Sequence, residues 1–580
     1  MDRRLHYYTL LILTILIASS LYLSWATDRG LGTLDVDRIG IETQPGRTVN
    51  FTVYSPKDRL ARLMPVVITI HGVGGSKEAM YGFNIELARQ YITVASVDLA
   101  GHGDSSMPFD IEDYAGLAED CYAVLQYVGL HYNDTDPTLY GVVAHSLGFH
   151  VGLAMYDMPV QPKALVAIGP VWMETVQSLP GNLLLAVGEF DELVQEEDLL
   201  ETLRSLTGIP TAMSGVTYGG FDGDAAYRLV IAPTNHVSEA IDSLIVVESV
   251  SWMLQALHNV EEPDLEGLFI QLIYENRTIA NTIGAAALLL SIIPLLFIVV
   301  THLPEQIRPE RIGNETETLS LSRIGLLSGV LGAVFVALYA LSGVAGFNLE
   351  TAGINWPNSM LATGLVLFFV VCPIIWLLAM ALIIGRRVVY QTILSMGYEH
   401  GNVKGLAMAV SKGILVGLIC IGWLLFWAAL GGMPGAQNSI TILPIFRFPN
   451  LQRFLNTLAV TCLALPFSIV DAQFTRGLML AQRDWGGRVP YARRIVTVFG
   501  LRVVPVTAFS VVLVLGTTAL GFVLAPVVLL GLLLSHFVLI SAFVVLLNIF
   551  SSVEFGNPWP AIVIGAFLYA WFLIGTVPLI

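Results

Sequence analysis

The 580-residue sequence predicts an α/β domain on a mostly parallel sheet, flanked by one N-terminal transmembrane helix and a C-terminal bundle of about eight transmembrane helices. Three observations carry this reading. The chain is 55% hydrophobic and only 13% charged, whereas soluble domains are about a quarter charged. Uncharged apolar runs of membrane length lie only at the extreme N-terminus and beyond about residue 278. Between them, short apolar runs alternate with amphipathic ones, the rhythm of a parallel sheet covered on both faces.

Arg3 and Arg4 precede an uncharged apolar run over 7–25. Ser24-Trp25-Ala26 would suit a signal peptidase, but the run is long for a signal segment. Residues 1–26 therefore read as an anchor rather than a cleaved signal peptide. Positive charge before the run predicts a cytoplasmic N-terminus and an extracytoplasmic domain over 30–262. Strands are expected at 38–42, 49–54, 65–70, 92–97, 138–144, 164–168, 183–187 and 227–231. Helices are expected at 77–90, 111–128, 147–156, 195–206 and 238–257. Ligands of such sheets sit beyond the C-terminal ends of the strands.

Residues 278–580 read as a multi-span membrane domain, with spans at about 279–301, 324–346, 361–385, 406–431, 455–475, 496–520, 523–548 and 559–580. With the N-terminus inside, Arg308, Arg311, Arg323, Arg386, Arg387, Lys404, Arg476, Arg483, Arg488, Arg493 and Arg494 fall in cytoplasmic loops, against only Arg447 and Arg453 outside. That asymmetry supports the topology. Lys412, Asp471 and Arg502 fall near the cytoplasmic ends of spans and read as snorkelling or interfacial pairs rather than a transport path. His536, near the middle of a span, reads as a helix–helix hydrogen bond.

Residues 27–277 hold 35 of the 45 acidic residues and 12 of the 29 basic ones. So acidic a domain excludes nucleic acid and charge-driven docking on anionic lipid. Of the four cysteines only Cys121 lies in this domain, which rules out an internal disulfide there, and no Cys/His spacing suggests a metal.

Five stretches carry chemistry. An apolar strand runs into Ala144-His145-Ser146-Leu147-Gly148 and then into a helix, a turn that would lift the Ser146 hydroxyl clear of the backbone. Taken alone it could equally be a serine in a tight turn. His71-Gly72-Val73-Gly74-Gly75 follows a buried strand, and the N–H of Val73 with that of Leu147 would form an oxyanion hole. No phosphate-binding glycine motif fits it. Asp98-Leu99-Ala100-Gly101-His102-Gly103-Asp104-Ser105 ends the next strand, and His102 there reads as a turn residue. Gly188-Glu189-Phe190-Asp191 offers a carboxylate to orient a histidine, with Asp191 preferred and Glu189 and Glu192 able to substitute. Asn235-His236 follows the last strand and supplies a base.

These stretches, in the order Ser, Asp, His, resemble the α/β-hydrolase superfamily over about residues 38–258, with Ala144 departing from the first glycine of the G-x-S-x-G elbow. The resemblance implies a catalytic triad of Ser146, Asp191 and His236, oxyanion donors at Val73 and Leu147, and no metal or cofactor. The expected activity is that of a membrane-bound serine hydrolase on the outer face, acting on an ester or related acyl bond through an acyl-enzyme. The expected partners are a small-molecule or lipid acyl substrate and membrane lipid. Two alternatives stand beside it: a transporter or channel whose outer domain binds or processes the ligand, and a peptidase of the same fold. The span between Ile168 and Leu183 is too short for a sizeable lid, so cover is expected from 208–226 or from the membrane half.

Overall fold

The computed structural model describes residues 3–58, 62–105, 108–171, 179–223, 225–258, 267–268, 271–304, 321–359, 362–394, 396, 403–432, 450–481, 491–519, 525–552, 557–576 and 579. The chain divides into two compact units. One comprises Ser20–Thr282, Pro434–Ile442 and Thr576–Ile580, and the other Met1–Ser19, Ile283–Met433 and Leu443–Gly575.

The first unit is an α/β domain around eight strands: β1 Leu34–Gln44, β2 Arg47–Pro56, β3 Met64–Ile70, β4 Thr93–Val97, β5 Thr135–His145, β6 Leu165–Ile168, β7 Leu183–Gly188 and β8 Tyr227–Ala232. Their order across the sheet is β1-β2-β4-β3-β5-β6-β7-β8. The β1–β2 and β2–β4 pairs are antiparallel, and every later pair is parallel. Every residue of β3, β4, β6 and β7 is buried, because helices cover both faces; this is why those strands read as unbroken apolar runs. Edge strand β1 instead mixes buried and exposed positions. Each expected strand is present, within the usual uncertainty of its ends.

After α1 (Arg3–Asp28), the helices of this unit are α2 Tyr81–Arg89, α3 Tyr114–His131, α4 Gly148–Ala154, α5 Glu196–Thr207 and α6 Ser243–His258. Two expected helices open differently from the prediction. Residues 77–80 and 238–241 form 3-10 turns before α2 and α6, and the second turn matters below. Asp113 caps α3 by accepting from the Gly116 N–H. Register aligns Ile70 with Ala144, His145 with Ile168, and Gly188 with Ala232. The C-terminal ends of β3, β5, β6, β7 and β8 therefore form one row, and the loops leaving them share one rim.

The segment 208–226 does not cover that rim. Tyr218 bridges to Tyr227, the first residue of β8, and Phe221 packs edge-on against Trp252 at 4.7 Å. The Trp252 indole in turn donates to the Asn182 carbonyl, just before β7 starts. The segment thus lies at the N-terminal ends of the strands, where its aromatics have a buried partner. The rim instead meets residue 579: Phe109 N–H donates to the Leu579 carbonyl at 2.7 Å, and Leu579 N–H to the Gly101 carbonyl at 2.8 Å. Residues 172–178, in the short stretch after β6, lie outside the described residues.

In the second unit, helices span Tyr274–His302 (beginning in the first unit), Leu321–Thr351, Ala362–Ile383, Val403–Gly432, Leu451–Ala481, Tyr491–Ala519, Ala525–Phe550 and Trp559–Thr576. Among the described residues seven helices, α1 included, are long and apolar enough to cross a membrane. The chain therefore has the composition of a membrane protein. Arg386 and Arg387, expected in a loop, begin a nine-residue helix, Arg386–Leu394. Arg308, Arg311, Arg447, Arg483 and Arg488 lie outside the described residues. Asp471 and Arg502 form a buried ion pair, and Asn548 Nδ2 also donates to Asp471 at 3.2 Å. Pairing, not snorkelling, accommodates these charges. His536 stacks on Phe572 with ring centroids 6.2 Å apart and lies 3.2 Å from its neighbour Ser535 Oγ.

Candidate active site

Ser146 stands between β5 and α4 with φ +55°, a left-handed conformation that costs a non-glycine residue about 1 kcal/mol or more. Its N–H is tied to the Ile168 carbonyl at 2.8 Å. Glycines make the turn sterically feasible. A Cβ on Gly72 would lie 2.7 Å from Ser146 Cβ, and one on Gly148 would lie 2.8 Å from the carbonyl oxygens of Ile70 and His71. Ala144 fits because Gly152 packs over it, where even a Cβ would come no nearer than 3.4 Å to the alanine methyl. Ser146→Gly is therefore expected to stabilise the domain by about 1 kcal/mol while removing the hydroxyl. Ser146→Ala should give no such gain; parallel denaturation of the two full-length variants is the check.

The loops bring three predicted residues together. His236 Nε2 lies 2.9 Å from Ser146 Oγ, and His236 Nδ1 lies 2.8 Å from Asp191 Oδ2. All three are nearly enclosed, at 8%, 3% and 7% exposure for Ser146, His236 and Asp191. Asp191 Oδ1 accepts from the N–H groups of Leu193 and Val194 at 2.6 and 2.9 Å. These bonds fix the carboxylate, which holds the proton of His236 on Nδ1 and leaves the Nε2 lone pair facing the Ser146 hydroxyl. Burial works to raise the Asp191 carboxyl, but the hydrogen bond and charge interaction with His236, with the Leu193 N–H, outweigh it and leave it below the usual range. Of the two substitutes considered for Asp191, Glu192 accepts from the His236 backbone N–H at 3.3 Å. Among the described residues Glu189 makes no hydrogen bond or ion pair with His236.

The turn after β3 faces Ser146. Among the described residues neither the Val73 N–H nor the Leu147 N–H has an acceptor, as donors awaiting a developing oxyanion require. Neighbouring groups hold the turn. Gly75 N–H donates to the Gly72 carbonyl at 3.0 Å, and His102 Nε2 accepts from Gly74 N–H at 3.3 Å while its Nδ1 donates to the Ala100 carbonyl at 2.9 Å. His102 thus sits in the turn and away from Ser146's base. Buried His71 accepts from Leu99 N–H at 3.1 Å. Burial lowers its pKa, which keeps that acceptor lone pair free.

Three participants escaped the sequence reading: Lys77, His145 and Glu239. Buried Lys77 reaches Asp98 at 2.5 Å and Asp104 at 2.7 Å, tying the turn after β3 to the loop after β4. His145 Nε2 donates to the His236 carbonyl at 3.0 Å. Glu239 lies against both histidines. His145, His236 and Glu239 have ligand atoms within 4.8 Å of one another, a spacing a metal could bridge. The ring nitrogens concerned are already engaged with the His236 carbonyl and Asp191, so the donor set does not suit a resident ion.

Residues 67–269 match the model of the alpha/beta hydrolase family. Uncharacterised proteins of Mycobacterium tuberculosis and Mycobacterium bovis are each 30% identical over 151 residues. The chain spans about 40% of the length of these relatives, and the match covers 25% of this chain. Similar solved structures include an esterase of Pyrococcus furiosus, with TM-score 0.31 and 14% identity over 40% of this chain and 96% of that one. A hypothetical protein of Pseudomonas aeruginosa has TM-score 0.29 and 15% identity over 39% of this chain and 94% of its own.

Proposed function

Since the chain carries an α/β-hydrolase domain over residues 67–269, we propose that it is a membrane-bound serine hydrolase acting on an ester or related acyl bond, lipid esters among them. The observation that carries this is the hydrogen-bonded chain from Ser146 Oγ through His236 to Asp191. A serine in an ordinary tight turn would not require a buried imidazole and a buried carboxylate in line behind it.

Ser146 Oγ attacks the acyl carbon as His236 Nε2 takes its proton. The carbonyl oxygen becomes an oxyanion held by the N–H groups of Val73 and Leu147. The intermediate collapses, and His236 returns the proton to the departing alcohol oxygen. Water, deprotonated by His236, then attacks the acyl-enzyme, releasing the acid and regenerating Ser146.

The arginine asymmetry supports a domain on the outer face of the cell membrane. The centre of the apolar unit favours a packed anchor or lipid-presenting platform over a transporter. Phe335, Phe368, Phe467, Phe537 and Tyr569 interlock there, and the void beside them, about 10 Å³, has room for no more than one water.

Membranes bearing the full-length chain should react with a fluorophosphonate probe at Ser146, and the Ser146→Ala variant should not. A folded wild type that stays unlabelled would sink the serine-hydrolase reading. Turnover of a panel of lipid esters against peptides separates esterase from peptidase.

A further inference from the structure

A second acid stands behind the Asp191–His236 pair. Glu239 lies in the 3-10 turn Ser238–Ile241, three residues after His236, and is fully enclosed. Its Oε1 accepts from Gly188 N–H at 2.6 Å, at the end of β7. Its Oε2 is 3.5 Å from His145 Nε2 and 3.6 Å from His236 Nδ1, and neither donates to it, because their protons go to the His236 carbonyl and to Asp191. Among the described residues these two histidines are its only ion-pair neighbours. His145 is no cation: burial, then the neighbouring His236, hold its pKa down to about 3. Gly169 leaves the room this arrangement needs, since a Cβ there would lie 2.2 Å from Glu239 Oε2 and 2.9 Å from the His236 ring.

Among the described residues Glu239 Oε2 is buried and has no hydrogen-bond partner. A carboxylate oxygen enclosed with neither donor nor cation bears its full desolvation cost, which a bound proton removes. Asp191, by contrast, accepts from two backbone N–H groups and from His236, so it is the ionised one of the two acids. Glu239, with one backbone donor and no cation, is the acid.

We propose that Glu239 is a carboxylic acid at working pH and a positioning residue: uncharged, it packs against His236 without drawing the Nδ1 proton away from Asp191. This rests on the serine-hydrolase reading of the site. Burial first, then the charge of Asp191 and the nearby Glu192, push the Glu239 carboxyl well above its ordinary range. The groups facing it are Asp191, Glu192, His145 and His236.

The raised value dictates the sign of a pH effect. The folded state keeps a proton that the unfolded chain releases above about pH 4.3, so stability falls as pH climbs from there toward the folded value. Glutamine has the same shape, keeps the acceptor to Gly188 and stays uncharged without that proton. In the full-length chain, the melting temperature of Glu239→Gln minus that of wild type should therefore widen between about pH 5 and about pH 8. A difference identical at both pH values means an ionised Glu239 and overturns the proposal. In the same preparations Glu239→Ala should slow fluorophosphonate labelling of Ser146 about tenfold, and Glu239→Gln should restore most of the rate. Labelling of Glu239→Ala at the wild-type rate overturns the positioning role. Should wild type itself not label, the serine-hydrolase reading fails, while the melting difference still reports the proton on Glu239.

Discussion

His236→Ala is expected to lower kcat on an acyl ester by about a millionfold, with KM little changed. A serine hydroxyl is a weak nucleophile, and among the described residues the group placed to take its proton is His236 Nε2, 2.9 Å away. In the proposed reaction both halves use that nitrogen, as base for attack and as acid for the departing alcohol. Removing the ring therefore removes both at once, leaving only what the Val73 and Leu147 N–H groups and binding contribute. Asp191→Asn should cost about ten thousandfold. An amide there can donate to Nδ1, which selects the tautomer whose Nε2–H points at Ser146 and cannot accept its proton. Steady-state kinetics on purified full-length variants decide the matter, and a His236→Ala loss below about tenfold would rule out the proposed role.

Lys77→Met should destabilise the α/β domain by about 3 kcal/mol or more, although Lys77 never touches Ser146. Asp98 is fully enclosed, and its carboxylate is held by the Lys77 ammonium at 2.5 Å, the Lys77 N–H at 2.7 Å and the Asp104 N–H at 2.8 Å. Methionine fills the same space but strands a buried negative charge. The damage should reach the site, because this pair joins the turn carrying Val73 to the loop carrying His102. Pairing Lys77→Met with Asp98→Leu should recover part of the lost stability, since a buried ion pair can often be exchanged for apolar residues at little cost. Denaturation midpoints for the single and double variants test this, and a midpoint for Lys77→Met equal to wild type would refute it.

The strands were legible because burial on both faces leaves a local mark. Val66, Val67 and Ile68 of β3, and Leu184, Leu185 and Ala186 of β7, are each fully or almost fully enclosed, and their short apolar runs end where the sheet ends. The candidate site was legible for a related reason: Ser146, Asp191 and His236 each follow such a run, and in a parallel sheet the ends of runs fall on one rim. Glu239 left no such mark. Its place under His236 depends on residues 238–241 forming a 3-10 turn before α6, a choice that a continuous apolar pattern over 238–257 conceals. Likewise 208–226 has the glycines and aromatics of a cover, but which end of β8 it follows is decided by the pairing of Tyr218 with Tyr227. Asp471 and Arg502 are 31 residues apart on different helices, and no spacing rule relates them.

What the sequence by itself determined was the α/β alternation, the apolar helices and the three side chains at strand ends, because each follows from the periodicity or composition of one short stretch. Only the tertiary structure decided which polar atoms meet. The 2.9 Å and 2.8 Å contacts around His236, the Lys77–Asp98 pair and the approach of Glu239 to His145 all join groups from different elements. Their distances depend on strand register and loop closure, and a displacement of about an ångström would leave such buried groups without partners.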